Sequence, residues 1–164
     1  MPAETIVRPF EEVVAEHGPV VLRVCRAMLD PIDADDAWSD TFVSALRAYP
    51  DLRRDSNIRG WLVTIAYRKA LDQLRAKSRI PLPTAALPEI ASPDDAVPDI
   101  DAQLRAALQA LPAKQRGAVI YHYLADLPYA EVGALLETNE AAARRSAADG
   151  IANLRKHYTP GSQS

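Results

Sequence analysis

The sequence predicts an all-α protein: two small helical domains joined by a Pro-rich acidic linker, the second with a helix-turn-helix. Three observations predict it. Apolar residues recur every three or four positions, with no strand-like alternation. Pro81, Pro83, Pro88, Pro93 and Pro98 crowd one stretch among Glu89, Asp94 and Asp95. Near the carboxy end, a short helical pattern led by Pro128 is followed by a two-residue turn and a longer helical pattern.

The first helical pattern runs from Phe10 to Leu29, with Val13, Val14, Val20, Val21, Val24, Met28 and Leu29 as its apolar side. Gly18-Pro19 is expected to end or kink it, because proline lacks the helical N–H. Asp30-Pro31-Ile32-Asp33 reads as a turn. Asp33 is the expected N-cap of a helix to about Ala48, with Asp35 and Asp36 in the first turn, where the helix dipole favours them. Its expected buried face is Ala37, Trp38, Thr41, Phe42, Ala45 and Leu46.

Residues Tyr49 to Asn57 read as a polar loop behind a helix-stopping Pro50. A long helix follows from Ile58 to about Lys77, packing Ile58, Trp61, Leu62, Ile65, Ala66 and Leu74 inward. The proline density of the next stretch removes helix donors and its acids repel one another, which predicts an extended linker. The second domain then divides into Asp101–Leu111, Ala113–Leu124, Pro128–Leu136 and Asn139–His157. Asn139 is the expected cap of the last helix, which turns Ala143, Ala147, Ile151 and Leu154 inward. It leaves Glu140, Arg144, Arg145 and Ala148 outward near its amino end. Such a hairpin is the geometry of a recognition helix, and also of helical proteins that never touch DNA. The expected boundaries are 1–79, 80–99 and 100–158, with a frayed tail at 159–164.

Composition narrows the function. The 164 residues are 48% apolar and 25% charged, as in a folded protein, and no apolar run approaches the length of a membrane span. The amino terminus lacks the basic start and apolar stretch of a secretory signal, and a lone Cys25 forms no internal disulfide, so the cytoplasm is the expected compartment. Cys25 reads as a buried small hydrophobe. His17, His122 and His157 are scattered, no Cys/His pair has zinc-ligand spacing, and no Gly-rich phosphate loop or nucleophile elbow is present. The expectation is a non-enzyme without metal or cofactor.

The net charge of −3 argues against nucleic acid until it is divided along the chain. Residues 1–52 carry −6, residues 53–79 carry +6, residues 80–102 carry −5 and residues 103–164 carry +2. Six excess positive charges within 27 residues can hold phosphates whatever the total is, or can simply solvate an Arg-rich helix face.

The order of these parts carries a resemblance. Asp33-Ala-Asp-Asp-Ala-Trp-Ser-Asp-Thr-Phe42 is similar to DAEDxxQETF, and Trp61-Leu-Val-Thr-Ile-Ala66 with Ala70-Leu-Asp-Gln-Leu-Arg75 is similar to WLxxIA and AxDxLR. In the second domain Leu108-Gln-Ala-Leu-Pro112, Gln115-Arg116, Leu124 and Leu127-Pro-Tyr-Ala-Glu-Val132 follow the pattern LxxLPxxQR…YLxGLSYxEIA. From Phe10 to Leu154 the chain resembles the extracytoplasmic-function group of bacterial RNA polymerase sigma factors.

That resemblance implies a subunit that binds core RNA polymerase and directs promoter-specific initiation. The Asp33–Leu46 helix would dock on the polymerase, with Asp36 and Asp40 facing it and Ser39 standing where the family usually has Gln. The loop and basic helix would recognise and open the −10 element. There Arg53, Arg54 and Asn57 would meet a flipped base, and Arg68 and Lys69 would meet phosphates. Trp61 would either stack on a base or pack in the core. Arg75, Lys77 and Arg79 would track the backbone or solvate the helix end. The linker would enter the polymerase cleft or act as a plain spacer. The last helix would read a −35 element with Asn139, Glu140, Arg144 and Arg145. Its run Ala142-Ala-Arg-Arg-Ser-Ala-Ala-Asp-Gly-Ile151 is poorer in arginine than the family's, with Asp149 in an arginine position and Glu137 where a small residue is usual. Promoter DNA and core polymerase are the implied partners, an anti-sigma factor is a further one, and no membrane is involved. The competing reading is a sigma-like interaction or regulatory module with weakened DNA binding.

Overall fold

A computed structural model describes residues 8–53, 56–79 and 100–158. The expected linker at 80–99, the tail at 159–164 and Arg54 lie outside the described residues. Those described form helices and turns, with no strand among them.

The first domain is built from α1 (Phe10–Met28), α2 (Pro31–Ala48) and α3 (Ile58–Arg79), each packed on the other two. Of the two outcomes expected at Gly18-Pro19, an end or a kink, the ending does not occur: helix α1 continues through Pro19. Burial on most sides holds it: Val13, Val21, Val24, Cys25, Ala27 and Met28 are fully inaccessible, and Gly18 lies against the Trp38 ring. Tertiary packing of this extent outweighs one missing helical hydrogen bond. The Trp38 indole also donates to the Gly18 carbonyl at 3.0 Å.

Helix α2 starts earlier than expected. Its N-cap is Asp30, whose carboxylate accepts from the Asp33 N–H at 2.9 Å, with Pro31 in the first turn. Asp33, the expected cap, instead pairs with Lys77 at 2.5 Å, and Asp30 does so at 3.3 Å. Lys77 therefore ties the end of α3 to the start of α2. Ala37, Thr41, Phe42 and Ala45 face inward as the periodicity requires, but Leu46 does not: it is 54% exposed. A one-turn 3-10 segment, Tyr49–Asp51, closes α2 and turns the chain into the loop before α3.

The second domain contains α4 (Ala102–Ala110), α5 (Ala113–Val119) continuing into a π-turn at Ile120–Leu124, α6 (Tyr129–Leu135) and α7 (Glu140–His157). Helices α6 and α7 form the expected helix-turn-helix. Asn139 caps α7 by accepting from the Ala142 N–H at 2.8 Å. The turn is tight, because a Cβ on Gly133 would lie 2.7 Å from the Asn139 carbonyl carbon. Glu137 takes a left-handed backbone, φ 59°, a conformation that glycine adopts without steric cost. Helix α7 packs on α5 and α6 and buries Ala143, Ala147 and Gly150, the last against Val119 and Gln115 of α5.

Side chains join the domains. Orphan carbonyls at the end of α1 accept from α4: the Arg105 Nε donates to Arg26 O at 3.1 Å, and the Gln109 Nε2 donates to Met28 O at 2.6 Å. From the other side, Arg23 donates to Leu124 O at 2.9 Å. The Tyr67 and Tyr121 rings meet edge-on at 5.3 Å, and the Arg116 Nε donates to the Tyr67 hydroxyl at 2.9 Å. Burial pushes the Tyr121 phenol up to about 12. Cys25 is buried as expected, and burial likewise pushes its thiol up to about 12, so it stays an unreactive thiol.

Candidate polymerase and nucleic-acid interfaces

Three surfaces gather the residues singled out from the sequence. The first is the outer face of α2. Ile32, Asp36, Ser39, Asp40, Val43 and Leu46 recur at three- and four-residue spacing and are all exposed. Ile32, Val43 and Leu46 are large apolar side chains left 41%, 49% and 54% accessible. Asp36, Ser39 and Asp40 thus share one stripe with apolar residues that sequence reasoning had not assigned to it. An apolar centre rimmed by charge is the usual make-up of a protein-binding surface.

The second surface is the loop before α3. Its floor is an aromatic cluster: Phe10 stands edge-on to Phe42 and Tyr49, at 6.3 and 5.2 Å, and Tyr49 lies 6.4 Å from Trp61 with the rings 27° from parallel. The Tyr49 hydroxyl donates to the Arg8 carbonyl at 2.7 Å. Trp61 is half-buried in this packing. A turn closed by the Ser56 N–H on Arg53 O at 3.0 Å leads to Asn57, which caps α3 by accepting from the Gly60 N–H at 3.1 Å. That cap uses the acceptor of the carboxamide, leaving its N–H donors for other partners. Arg53 and Arg68 are exposed and Lys69 is half-buried. Seven residues separate Trp61 from Arg68, which puts them on one helix face two turns apart.

The Asn57 N–H group is engaged from the second domain. It donates to the Glu131 carboxylate of α6, while Arg59 pairs with Asp126 at 3.5 Å. Arg8, His17, Ser56, Asn57, Arg59, Asp126 and Pro128 line a cavity of about 410 Å³ at this junction. His17 is buried there and its Nδ1 has no partner, and burial holds its imidazole below the ordinary range despite Glu16 at 3.7 Å. Neither the cavity nor the Asn57–Glu131 pair has a local signal in the sequence.

The third surface is the amino end of α7. Glu140, Arg144 and Arg145 are exposed there, and Asn139 is committed to the cap. The Arg144 Nη2 pairs with Glu140 at 2.9 Å, one turn earlier. Ala148 and Asp149 are exposed beyond them. Among the described residues no cluster of His, Cys, Asp and Glu could hold a metal ion, and no helix is long and apolar enough to cross a membrane.

Comparison with known proteins gives a consistent pattern. Residues 13–80 match the Sigma-70 region 2 family and residues 101–154 match Sigma-70, region 4. RNA polymerase sigma factor CarQ of Myxococcus xanthus is 32% identical over 152 residues, spanning 90% of this chain and 87% of CarQ. ECF RNA polymerase sigma factor SigM of Mycobacterium tuberculosis is 31% identical over 151 residues, spanning 90% and 76% of the two chains. In fold, the chain is similar to the sigma factor RpoE of Bartonella quintana, solved with the anti-sigma factor NepR. The TM-score is 0.69 at 20% identity, covering 92% of this chain and 96% of RpoE.

Proposed function

The chain belongs to the extracytoplasmic-function group of sigma-70 RNA polymerase sigma factors, and from that premise we propose which of its residues dock polymerase and which meet DNA. Its activity is promoter-directed transcription initiation, and its partners are core RNA polymerase and promoter DNA. The first domain, residues 1–79, docks core polymerase through the α2 stripe. Val43 and Leu46 supply buried contact and hence residence time, while Asp36, Ser39 and Asp40 set encounter and register. The observation that carries this reading is the exposure of those apolar residues beside the acids on a helix otherwise well packed.

The loop before α3 then takes the −10 element. Strand opening needs a site that favours unpaired bases. Arg53 and Arg54 supply charge, and Asn57 supplies N–H donors to a base edge once Glu131 releases them. Trp61 supports the loop from below through Tyr49, and Arg68 and Lys69 follow the backbone. Residues 80–99 join this domain to the second, 100–158, with 159–164 as a tail. Glu140, Arg144 and Arg145 of α7 lie at the −35 element, with Asn139 setting the start of the helix. The protein catalyses nothing itself and works in the cytoplasm. An anti-sigma factor is a further partner of the kind RpoE has in NepR.

Run-off transcription with core polymerase and a promoter library tests the assignment. A promoter-dependent product is expected. Tight core binding without any such product would overturn it in favour of an interaction module.

A further inference from the structure

The amino end of α7 carries a stack of side chains. The Arg144 guanidinium carbon lies 4.6 Å from the centroid of the Tyr129 ring, at the first residue of α6. On Tyr129 lies His122, with ring centroids 3.7 Å apart and planes 14° from parallel. His122 is fixed in turn by its Nδ1, 2.9 Å from the Leu127 carbonyl, and by Tyr123 standing edge-on at 4.9 Å. The tight turn at Gly133 fixes α6 against the start of α7, so both ends of the stack are anchored.

We propose that Tyr129 is a positioning residue for Arg144, presetting its guanidinium for base-edge readout at the −35 element. This rests on the reading of α7 as the helix that meets that element. The reason is geometric. An arginine free in solvent must give up its side-chain rotamers on binding. A cation–π contact with the Tyr129 ring holds the group without a hydrogen-bond acceptor claiming its N–H donors. Glu140 takes one edge at 2.9 Å. The remaining N–H donors stay available for a guanine O6/N7 pair, which needs two of them in one plane. A recognition helix whose amino end carries only two arginines, Arg144 and Arg145, gains specificity by fixing one of them.

Transcription by the holoenzyme from promoters randomised across the −35 element tests this. Arg144→Ala should erase a base preference at one position. Tyr129→Leu should lower the preference at that same position about two- to fivefold, the worth of an exposed cation–π contact. Tyr129→Phe, which keeps the ring, should stay within about twofold of the parent. In an Arg144→Ala background, Tyr129→Leu should change that preference no further, whereas a merely structural tyrosine would still lower output across all promoters. If Arg144→Ala erases the preference and Tyr129→Leu leaves it intact, Tyr129 does not position Arg144. If Arg144→Ala changes no preference, Arg144 does not read the element, and the assignment of α7 falls with the proposal.

Discussion

The carboxamide of Asn57 is bonded on both sides: its oxygen accepts from the Gly60 N–H, and its nitrogen donates to the Glu131 carboxylate, 74 residues further along the chain. A residue proposed to meet the −10 element is thus engaged by the helix-turn-helix domain. Asp126 on Arg59 repeats the arrangement next to it. Two carboxylates of the second domain thus meet donors at the start of α3. The α2 stripe is exposed in the same structure.

Replacing Glu131 and Asp126 by alanine should let the free chain bind single-stranded −10 oligonucleotides about two- to tenfold more tightly, the range for one or two weak polar contacts. Core binding should not change. Fluorescence anisotropy with labelled oligonucleotides checks this. Unchanged affinity would show that the two carboxylates do not compete with DNA.

On α2, Val43→Asp combined with Leu46→Asp should weaken core-polymerase binding by at least about tenfold, since each removes an apolar contact and adds a charge to be desolvated. Because both positions are exposed, thermal stability should move by no more than about 0.5 kcal/mol per site. Asp36→Asn should act chiefly on the association rate and its salt dependence. Surface plasmon resonance with core polymerase separates the two effects.

Gly150→Ala should destabilise the second domain, although alanine is the better helix former by about 1 kcal/mol. The added Cβ would sit 2.7 Å from the Val119 Cγ2 and 3.2 Å from the Gln115 carbonyl oxygen. Val119 is buried and β-branched, so it cannot swing aside, and overpacking of this kind costs about 1–3 kcal/mol. Urea unfolding should show the loss, and Val119→Ala in the same chain should recover part of it. A stabilised Gly150→Ala variant would mean that α7 moves freely on α5.

Burial of His17 makes stability depend on pH. The neutral imidazole is favoured in the folded chain, with Glu16 opposing and Arg59 and Arg8 reinforcing that preference. Above its ordinary value near 6.5 the group is neutral in both states and the contribution is complete. As the pH falls through that value towards the lower folded one, the unfolded chain takes up the proton first and stability drops. His17→Gln should flatten this slope between about pH 7.5 and 5.5 in urea titrations. Parallel curves for the two proteins would assign the dependence to another group.

Much of the architecture follows from local patterns, because apolar periodicity, Asn139 as a cap and the proline-led α6 act over a few residues. The departures come mostly from long-range contacts. Pro19 remains helical because α2 and α3 bury the helix around it, which its neighbours in sequence do not reveal. Asp30 displaces Asp33 as the cap, since Pro31 suits the first turn and Lys77, 44 positions beyond Asp33, draws the latter away. Leu46 fits the inward spacing yet lies outside, on the exposed stripe with Ser39 and Val43, while Phe42, Ala45 and Tyr49 take the inward positions at that end of α2. The outward placement of Asp36, Asp40, Arg144 and Arg145 was legible from helical spacing, while the engagement of Asn57 depends on how two domains meet and has no trace in the chain near residue 57. Gly150, a propensity fault in isolation, marks where α5 and α7 approach.

The bonds from Arg105 and Gln109 to the end of α1, and from Arg23 to Leu124, share one property: every acceptor is a main-chain carbonyl. Nearly any residue at positions 26, 28 and 124 presents the same oxygen in the same place. The accepting half of these three bonds is therefore robust to mutation, and within them only the donors can be altered. Sequence drift on the acceptor side would leave the junction intact, whereas one change at Arg23, Arg105 or Gln109 would retune how readily the two domains part.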